Sequence, residues 1–585
     1  MKRASAGRLT AADADRRVLL QGWIAHRRDF GELVFVTLRE RSGVVQVLFA
    51  EDADRALVEQ AKTLRSEDVV EIEGTVRRRA AGQENREMPT GEIEVVADAL
   101  RVLTRADVPP FSIEDRVNAS EDLRLKYRYL DLRRPAVTRN FVLRDEITFR
   151  ARKVLHERGF LDVETPILTK STPEGARDFL VPSRNRPGEF YALPQSPQLF
   201  KQILMVAGFD RYYQVARCFR DEDLRADRQP EFTQIDIEMS FPTEETVIEL
   251  IEALFPEMFG AAGIACAPPF PRLTYDEAID RFGIDRPDLR FGMELVDLAA
   301  AASGGAFAPF DRAIEEGGWV RGFSVPGGAD ASRKKLDDWT EVAKTFGAAG
   351  LVWFKKAAGE IASPAKKTLS PDALARIGEA LALSEGDLGL VVAGAKKKAA
   401  DALANLRVAV ARERGMIDDE KHAFCWVTDF PLVEWDEREN RWFAMHHPFT
   451  SPREADLALL ESDPGRVRAR AYDVVLNGIE LGGGSIRIHR ADVQSRMFRL
   501  RGIGDEEARS KFGFLLDAFR FGAPPHGGIA LGLDRICMLA ARAPSIRDVI
   551  AFPKTASGTC LMTESPSAVP PEQLAELGLA LAPRK

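Results

Sequence analysis

The chain has 585 residues, too many for a single hydrophobic core, so several domains are expected. Its hydrophobic share of 45% and charged share of 29% are typical of globular proteins, and its net charge of -8 excludes a strong bulk attraction to nucleic acid. The first residues lack the apolar run of a secretory signal, and the five cysteines lie far apart, so we expect a cytoplasmic protein without a membrane span, zinc site or disulfide framework.

Short β-rich runs fill the start of the chain. They cover 18–24, 33–38, 44–49, 69–76 and 91–96, and a helical stretch at about 52–65 follows the third run. Five strands with a helix after the third predict a small closed barrel of the OB type. Such barrels have many roles, so the pattern alone leaves nucleic-acid binding and a purely structural role equally open.

A proline-containing break at 107–111 predicts a linker. The apolar residues that then recur at helical spacing are Leu143, Ile147, Ala151, Val154 and Leu155. Gly159 stands where a C-terminal cap belongs, and the run 160–166 predicts a strand that Pro166 ends. Taken alone, this pattern fits any ordinary helix and strand.

The next polar segments predict a substrate pocket. Ser196 and Gln198 lie at a predicted strand end, and Lys201 follows on a helical turn. Glu174 lies in the loop 171–178, whose proline and glycine allow closure over a substrate. Its carboxylate is suited to a substrate ammonium group.

The segment 219–236 predicts a clamp for a nucleoside triphosphate. Arg220 is placed to contact the α-phosphate, because a guanidinium binds phosphate oxygens bidentately. Phe232 offers a ring beneath adenine, and Asp236 on the same return strand complements a substrate ammonium. The side chains placed to hydrogen-bond adenine or the phosphates are Glu222 and Gln229.

The composition changes from about 285 to 421, where the chain is rich in Ala, Gly and Lys without obvious chemistry. Helical spacing persists at Trp339, Val342, Ala343 and Phe346, so we predict a folded insertion. The composition found before residue 285 returns with a predicted strand at 425–427.

The pair His446-His447 suggests metal or acid–base chemistry, but neighbours on a strand point to opposite faces and no third ligand stands at metal spacing. We therefore predict that one histidine lines the pocket and the other packs away from it.

Asp473 and Glu480 flank Asn477-Gly478, a strong hairpin signal, so both acids are expected to face one site from paired strands. Hard carboxylates beside phosphate oxygens suit Mg²⁺. The glycines at 482–484 let backbone approach a ligand closely.

The strand 484–489 places Ser485, Arg487 and His489 on one face by alternation. A lone strand arginine is usually an exposed charge, but Arg487 with Lys201 predicts a doubly cationic anchor for a side-chain carboxylate. A neutral side chain such as that of asparagine would leave the buried cations of this site unpaired, which costs roughly 3–5 kcal/mol.

Gly532-Leu533-Asp534-Arg535 supplies a second arginine, placed for the γ-phosphate and the upper face of adenine. This segment and 219–236 resemble motifs three and two of the class II aminoacyl-tRNA synthetases, and the helix and strand before Pro166 resemble motif one, which builds the dimer interface in that family.

The motif set extends along nearly the whole chain and resembles the bacterial aspartyl-tRNA synthetases of subclass b. The segments that carry the resemblance are 171–178, 195–201, 217–223, 445–450, 482–489 and 528–535. The resemblance implies aspartate contacts by Glu174, Ser196, Gln198, Lys201, Arg220, Asp236, His446 and Arg487. It implies ATP contacts by Arg220, Asp221, Glu222, Gln229, Phe232, Glu480, Gly532, Leu533, Asp534 and Arg535. Arg220 and Arg535 are the implied catalytic residues.

In the barrel, the positions where the family reads the anticodon are Arg28, Phe35, Gln46 and Glu92. Phe35 can stack on a splayed base, although the run 33–38 also allows it to be a core ring. Phe30 and Gly82 lie in loops where enzymes strict for aspartate tRNA differ from those that also charge asparagine tRNA. The two positions give conflicting indications of specificity, so the sequence does not decide between the two types.

The resemblance also implies the organisation and partners. We expect a multidomain α+β chain with an OB barrel, a class II antiparallel catalytic sheet flanked by helices and an inserted α+β (GAD-type) domain. The expected divisions are 1–106, 107–137, 138–284, 285–421, 422–564 and 565–585. ATP, Mg²⁺, L-aspartate, tRNA(Asp) and, for a relaxed enzyme, tRNA(Asn) are the expected partners of a homodimer that binds neither membrane nor DNA. An asparagine or lysine synthetase and a catalytically inactive RNA-binding paralogue stay open as alternatives.

Overall fold

A computed structural model of the chain describes residues 2–50, 54–172, 175–222 and 228–582. The chain divides into two compact units, one of Met1–Arg144 with Arg547–Ala568 and one of Asp145–Ile546 with Val569–Lys585. None of the helices in the described part of the chain combines the length and the hydrophobicity needed to cross a lipid bilayer.

The first unit contains the predicted closed barrel. Its elements are β1 (Arg17–Asp29), β2 (Leu33–Glu40), β3 (Gly43–Ala50), α1 (Arg55–Lys62), β4 (Val69–Arg78) and β5 (Ile93–Thr104). The order β1-β2-β3-β5-β4 closes because β1 pairs with both β2 and β4. Alternate side chains such as Val34, Val36 and Leu38 fill its core.

Three helices follow: α2 (Glu121–Lys126), α3 (Arg128–Asp131) and α4 (Pro135–Glu157). The predicted helix is confirmed, and its start at Pro135 fits the preference of proline for the first helical turn. Gly159 has φ +78°, the left-handed conformation expected of a C-terminal cap. The predicted strand 160–166 is too long, since only β6 (Leu161–Asp162) pairs regularly with its neighbour.

The second unit begins at Asp145 within α4 and also contains β6. Its next elements are β7 (Leu180–Pro182), β8 (Phe190–Ala192), α5 (Gln198–Val206), β9 (Arg211–Phe219), β10 (Glu231–Ser240), α6 (Glu244–Gly260), β11 (Arg272–Thr274) and α7 (Tyr275–Phe282).

The inserted α+β part has its own five-stranded sheet. Its elements are β12 (Val296–Asp297), α8 (Ala299–Ala302), α9 (Ala308–Glu315), β13 (Trp319–Val325), α10 (Arg333–Thr345), β14 (Val352–Ala357), β15 (Glu360–Ala362), α11 (Pro371–Ala380), β16 (Leu388–Gly394) and α12 (Lys396–Glu413). The strand order is β12-β13-β16-β14-β15, and separate apolar clusters contain its inward side chains. Trp339 and Ala343 are buried on α10, as predicted, whereas Phe346 lies just beyond the helix and is exposed.

The chain then returns to the main sheet. The last elements are β17 (Phe424–Thr428), β18 (Val433–Asp436), β19 (Arg441–Ala444), β20 (Ala471–Leu476), β21 (Ile479–Ile486), α13 (Ala491–Leu500), α14 (Asp505–Phe519), β22 (His526–Gly532), α15 (Leu533–Ala540) and α16 (Pro571–Glu576). The eight-stranded order is β11-β17-β20-β21-β22-β10-β9-β6. Its central strands are antiparallel, as predicted, but the outermost strands β11 and β6 pair in parallel, so the sheet is mixed.

Candidate active site

A cavity of about 550 Å³, within the usual size range of ligand pockets, is lined by residues of the eight-stranded sheet together with α5 and α15. Predicted site residues on its wall are Ser196, Gln198, Lys201, Arg220, Glu222, Gln229, Phe232, Asp236, His446, Asp473, Glu480, Arg487, Gly532, Asp534 and Arg535. Glycines let the strands beneath the cavity pack closely, since a β-carbon on Gly484 would lie 2.3 Å from the carbonyl oxygen of Gly528. The cavity therefore unites segments far apart in sequence.

Some predicted residues lie elsewhere. Asp221 pairs with Arg177 at 3.7 Å, and Leu533 is 1% exposed in the core, so neither side chain belongs to the described cavity wall. His489 is likewise not part of that wall. Glu174 lies outside the described residues.

One end of the cavity holds a compact cluster of opposite charges. Lys201 lies 2.8 Å from Asp236 and 3.5 Å from Glu238, and Arg487 binds Glu238 through Nε at 3.0 Å and Nη2 at 2.9 Å. Lys201 and Arg487 are only 1% and 2% exposed. The predicted cations do converge, but the expectation that they await an anion unpaired is wrong, because Asp236 and Glu238 already balance them.

The charges in this cluster shift one another's protonation. Burial would raise the pKa of Glu238, but the charges of Arg487 and Lys201 outweigh it and lower that pKa. Burial dominates at Asp236 and raises its pKa despite Lys201. The cluster therefore contains a firmly ionised acid, Glu238, which fixes the orientation of Arg487.

Few donors in this cluster remain for a ligand. Nη1 of Arg487 donates to Ser485 Oγ at 2.6 Å and lies 2.9 Å from His447 Nε2, which leaves one N–H on Nη2. Gln198 Nε2 is buried and has no hydrogen-bond partner among the described residues. Both groups donate and so suit a substrate carboxylate, whereas the Asp236 oxygens, buried beside them and ion-paired with Lys201, are acceptors suited to a substrate ammonium. An asparagine amide would instead set its NH₂ against donors, which replaces the predicted argument from unpaired cations.

The other end of the cavity carries the arginines predicted for a triphosphate. The Arg220 guanidinium lies over the Phe232 ring, 4.9 Å from its centroid, and makes no ion pair with the described residues. Arg535 donates to the Glu480 carbonyl at 3.1 Å. Asp534 accepts from the Thr233 backbone at 2.7 Å, so its carboxylate ties α15 to β10.

The predicted hairpin brings the two candidate metal ligands together. Asn477 and Gly478 have φ of +53° and +82°, as a type I′ turn requires. A β-carbon on Gly483 would lie 2.5 Å from Asp473 Oδ1 and 3.7 Å from Glu480 Oε1, so both acids flank this glycine. Burial and the charge of Asp473 raise the pKa of Glu480, and a bound cation would relieve both effects. The donor set fits Mg²⁺.

Both histidines line the cavity, so the prediction that only one does is wrong. The segment between β19 and β20 is irregular here, and strand alternation does not apply. His446 Nε2 lies 3.3 Å from Asp473, and although burial disfavours protonation, the charge of Asp473 raises the His446 pKa. Burial and Arg487 hold the pKa of His447 well below its ordinary value, so His447 stays neutral beside the cation.

Sequence reasoning missed two supporting residues, Glu238 and Gln195. Gln195 holds the loop that begins at Gly175, because its amide accepts from the Ala176 backbone N–H at 3.0 Å and donates to the Ala176 carbonyl at 2.8 Å. The spacing of Asp236 and Glu238 at i and i+2 on one strand was the signal that could have found Glu238, since both then face one side.

We expect Gly483→Ala to weaken the acidic pair. The added methyl would lie 2.5 Å from Asp473 Oδ1 and push that carboxylate from its place beside Glu480. The Mg²⁺ concentration needed for half-maximal activity should rise about tenfold, the loss expected when metal-ligand support is disturbed. Gly350→Ala is the matched control, because nothing lies within 4 Å of its added β-carbon. An unchanged Mg²⁺ requirement would contradict the assignment.

In the barrel, the predicted anticodon residues lie on strands β1 to β3 and before β5. Phe35 is half-buried outside the core, and its ring meets the 68% exposed Phe30 edge-on at 5.9 Å, so the alternative of a core ring is wrong. Arg28 pairs with Phe35 across β1 and β2. Gln46 donates to Glu94 at 3.0 Å.

Glu92 is exposed, and Gly82, at φ +84°, has open space around its missing β-carbon. Glu92 stays a prediction as an anticodon contact, and Gly82 stays a prediction as a position that distinguishes the two tRNA specificities.

Comparison with known families decides the identity of this arrangement. The model of tRNA synthetases class II (D, K and N) matches residues 120–556, and that of the OB-fold nucleic acid binding domain matches residues 18–103. The chain belongs to the class II tRNA synthetases. This class II synthetase thus joins an OB barrel to a catalytic sheet, as its sequence motifs predicted.

Curated relatives of this synthetase match it along nearly its whole length. The aspartate–tRNA(Asp/Asn) ligase of Moorella thermoacetica is 56% identical over 580 residues, 99% of this chain and 96% of the relative. That of Caldanaerobacter subterraneus subsp. tengcongensis is 53% identical over 576 residues, 98% and 97% of the two chains. The aspartate–tRNA ligase of Geobacillus kaustophilus is 53% identical and covers 98% of each chain.

Solved structures agree on the fold. Asparaginyl-tRNA synthetase from Pyrococcus horikoshii, complexed with asparaginyl-adenylate, superposes with a TM-score of 0.60 at 19% identity, over 95% of this chain and 98% of that one. Aspartyl tRNA synthetase from Entamoeba histolytica gives 0.58 at 20% identity, over 94% and 91%.

Proposed function

We propose that the chain is an aspartate–tRNA ligase, which activates L-aspartate with ATP and transfers it to the 3′-terminal adenosine of tRNA(Asp). The observation that carries the proposal is one cavity with N–H donors of Gln198 and Arg487 left for a carboxylate at one end and the arginines Arg220 and Arg535 at the other. The names of the full-length relatives support the same substrate.

In the first step, an α-carboxylate oxygen of aspartate attacks the α-phosphorus of ATP. The bond from that phosphorus to the oxygen bridging to the β-phosphate breaks, and pyrophosphate leaves with the bonding electrons. Arg220 is the group for the charge that develops at the α-phosphate, because its guanidinium has no competing ion pair among the described residues. Arg535 is assigned to the γ-phosphate end.

Mg²⁺ fits the carboxylates of Asp473 and Glu480, which would hold it beside the phosphates. When bound, it would neutralise phosphate charge. In the second step, a ribose hydroxyl of tRNA attacks the aspartyl carbonyl carbon and AMP leaves. The adenylate phosphate accepts the hydroxyl proton, so no protein base is required.

The family relatives that act on asparagine or lysine fit the cavity less well. Lysine would bring an ammonium group, which only donates, to the remaining N–H donors of Arg487 and Gln198, and asparagine would bring N–H donors to the same groups. An inactive RNA-binding paralogue would not need Arg220, Glu480 and Arg535 on one cavity wall.

ATP–pyrophosphate exchange with purified enzyme tests this function. Exchange should depend on aspartate, with asparagine and lysine giving background rates. Absence of exchange with all three amino acids would favour the inactive paralogue. Charging of tRNA(Asp) and tRNA(Asn) in parallel would then show whether asparagine tRNA is also a substrate, as the names of several relatives indicate for those proteins.

The barrel is assigned to the anticodon, with Phe35 as the stacking residue and Arg28, Gln46 and Glu92 as base-edge contacts. We expect Phe35→Ala to reduce charging of tRNA(Asp) about 10- to 100-fold in kcat/KM, since stacking on a base contributes about 1–3 kcal/mol. Aspartate-dependent exchange, which needs no tRNA, should not change. Leu103→Ala on β5 removes another exposed apolar side chain and serves as control. Equal charging by both variants would remove Phe35 from the interface.

A homodimer is also proposed. The segment that resembles motif one leaves Phe149 on α4 and Leu161 on the edge strand β6 exposed, and Ile167 and Leu168, just after Pro166, are exposed as well. Exposed apolar groups of this kind mark protein interfaces. The proposed domain divisions, with the insertion at 285–421, are supported by the separate sheets of the described chain.

A further inference from the structure

His526 lies at the start of β22, where the two elements that carry the donors for aspartate meet. Its backbone carbonyl oxygen accepts the backbone N–H of Arg487 at 2.8 Å. Its imidazole Nε2 lies 3.0 Å from Oε1 of Gln202, which belongs to α5. One residue therefore contacts both the segment that carries Arg487 and the helix that carries Gln198 and Lys201.

The contact between Gln202 and His526 is fully buried, since both residues are 0% exposed. Nδ1 of His526 lies 2.8 Å from the Pro524 carbonyl oxygen, and this second bond fixes the plane of the ring. A side-chain amide can accept from a protonated ring nitrogen or, turned over, donate to an unprotonated one, so Gln202 suits Nε2 in either state. Separating the two side chains would leave buried polar groups unsatisfied, and the contact therefore holds α5 against β22.

Gln202 lies one helical turn after Gln198, whose buried Nε2 has no hydrogen-bond partner among the described residues. Its own Nε2 donates to the Gln198 carbonyl oxygen at 3.4 Å. Lys201 on the same turn is ion-paired with Asp236 at 2.8 Å, but a flexible lysine chain restrains a helix less than a bond between two short, buried side chains. The Gln202–His526 contact is thus the stricter restraint on this turn.

We propose that Gln202 and His526 are positioning residues, which fix the spacing between Gln198 and Arg487 so that both donors face the bound aspartate. The inference deepens the proposed function and rests on it. A misplacement of about 1 Å at a substrate contact can cost about 100-fold in rate, so small shifts of α5 would be felt. The ATP contacts should be spared, because Arg220 follows β9 and Arg535 lies on α15.

Aspartate-dependent ATP–pyrophosphate exchange tests the proposal with two variants that break the contact. Gln202→Met removes the amide at similar volume. His526→Asn keeps an amide nitrogen near the Nδ1 position, where it can bind Pro524, but it is too short to reach Gln202. Each variant should raise the KM for aspartate about tenfold, the loss expected when a buried group loses its partner, and should change the KM for ATP less than about twofold.

Further variants separate positioning from a general effect on the fold. His526→Gln places its amide near the Nε2 position, so it can still bind Gln202 and should recover most of the affinity for aspartate. Ser240→Ala is the control, because it removes only a weak bond from β10 to the sulfur of Met205 on the same helix and should leave the KM for aspartate near the wild-type value. The double variant Gln202→Met/His526→Asn should be no worse than either single variant, since both remove one contact.

Values of the KM for aspartate near that of the wild type in both single variants would overturn the proposal. So would an equal rise in the KM for ATP, losses that multiply in the double variant, or a loss in His526→Gln as large as that in His526→Asn. Failure of the wild-type enzyme to exchange with aspartate would instead overturn the proposed function.

Discussion

Arg487→Leu is expected to abolish aspartate-dependent ATP–pyrophosphate exchange while ATP binding is retained. The substitution removes the one N–H that Arg487 has left for a substrate carboxylate, and it leaves Glu238 buried without its partner. Truncating one partner of a buried, hydrogen-bonded charge pair costs about 2–5 kcal/mol in binding, so kcat/KM for aspartate should fall roughly 30- to 5,000-fold. Exchange kinetics measure the loss, and equilibrium binding of ATP should stay near the wild-type value.

The control for this variant is Arg470→Leu. Arg470 is bound by Glu244 at 2.7 Å and precedes β20, but it is not on the described cavity wall. It should lose stability modestly and keep exchange. Thermal unfolding of both variants separates misfolding from loss of the site. Normal activation by Arg487→Leu would exclude this arginine from aspartate binding.

The charge cluster around Arg487 also shows what the sequence could and could not predict. Lys201 and Arg487 are separated by nearly three hundred residues; their charges suggested a shared anion site, and the resemblance to a known family implied that both contact the same substrate. Glu238 was missed because Asp236 and Glu238 alternate with apolar residues on β10, a pattern that is typical of a strand with one solvent face. Here the polar face is buried, and its charges neutralise one another.

Local sequence patterns predicted the structure best where neighbouring residues alone determine the backbone conformation. The barrel follows from alternation, and the Asn477-Gly478 turn follows from residues that tolerate positive φ. His446 and His447 were misjudged because strand alternation was applied to an irregular segment. Asp285, which lies on the cavity wall, carries no local signal, since its segment reaches the cavity through a long-range contact with the Gly478 turn.

Arg220→Met is expected to lower the rate of aspartyl-adenylate formation more than the affinity for ATP. Methionine keeps an apolar contact with the Phe232 ring, which the guanidinium covers at 4.9 Å, but it removes the charge assigned to the α-phosphate. Loss of one donor to a developing oxyanion costs about 10²- to 10³-fold in kcat. Rapid-quench measurement of adenylate formation at saturating ATP and aspartate reports this step directly.

Arg217→Met distinguishes the role of Arg220 from the general need for an arginine on β9. Arg217 is bound by Glu231 at 2.6 Å and by Thr233 at 3.0 Å and does not belong to the described cavity wall, so its loss should leave the rate of adenylate formation nearly unchanged. A rise in the KM for ATP at constant kcat for Arg220→Met would show that Arg220 only binds the ground state. Both variants remove one positive charge from nearby positions at the end of β9. A fall in kcat in Arg220→Met alone would therefore show that the Arg220 charge acts on the α-phosphorus while its bonds change.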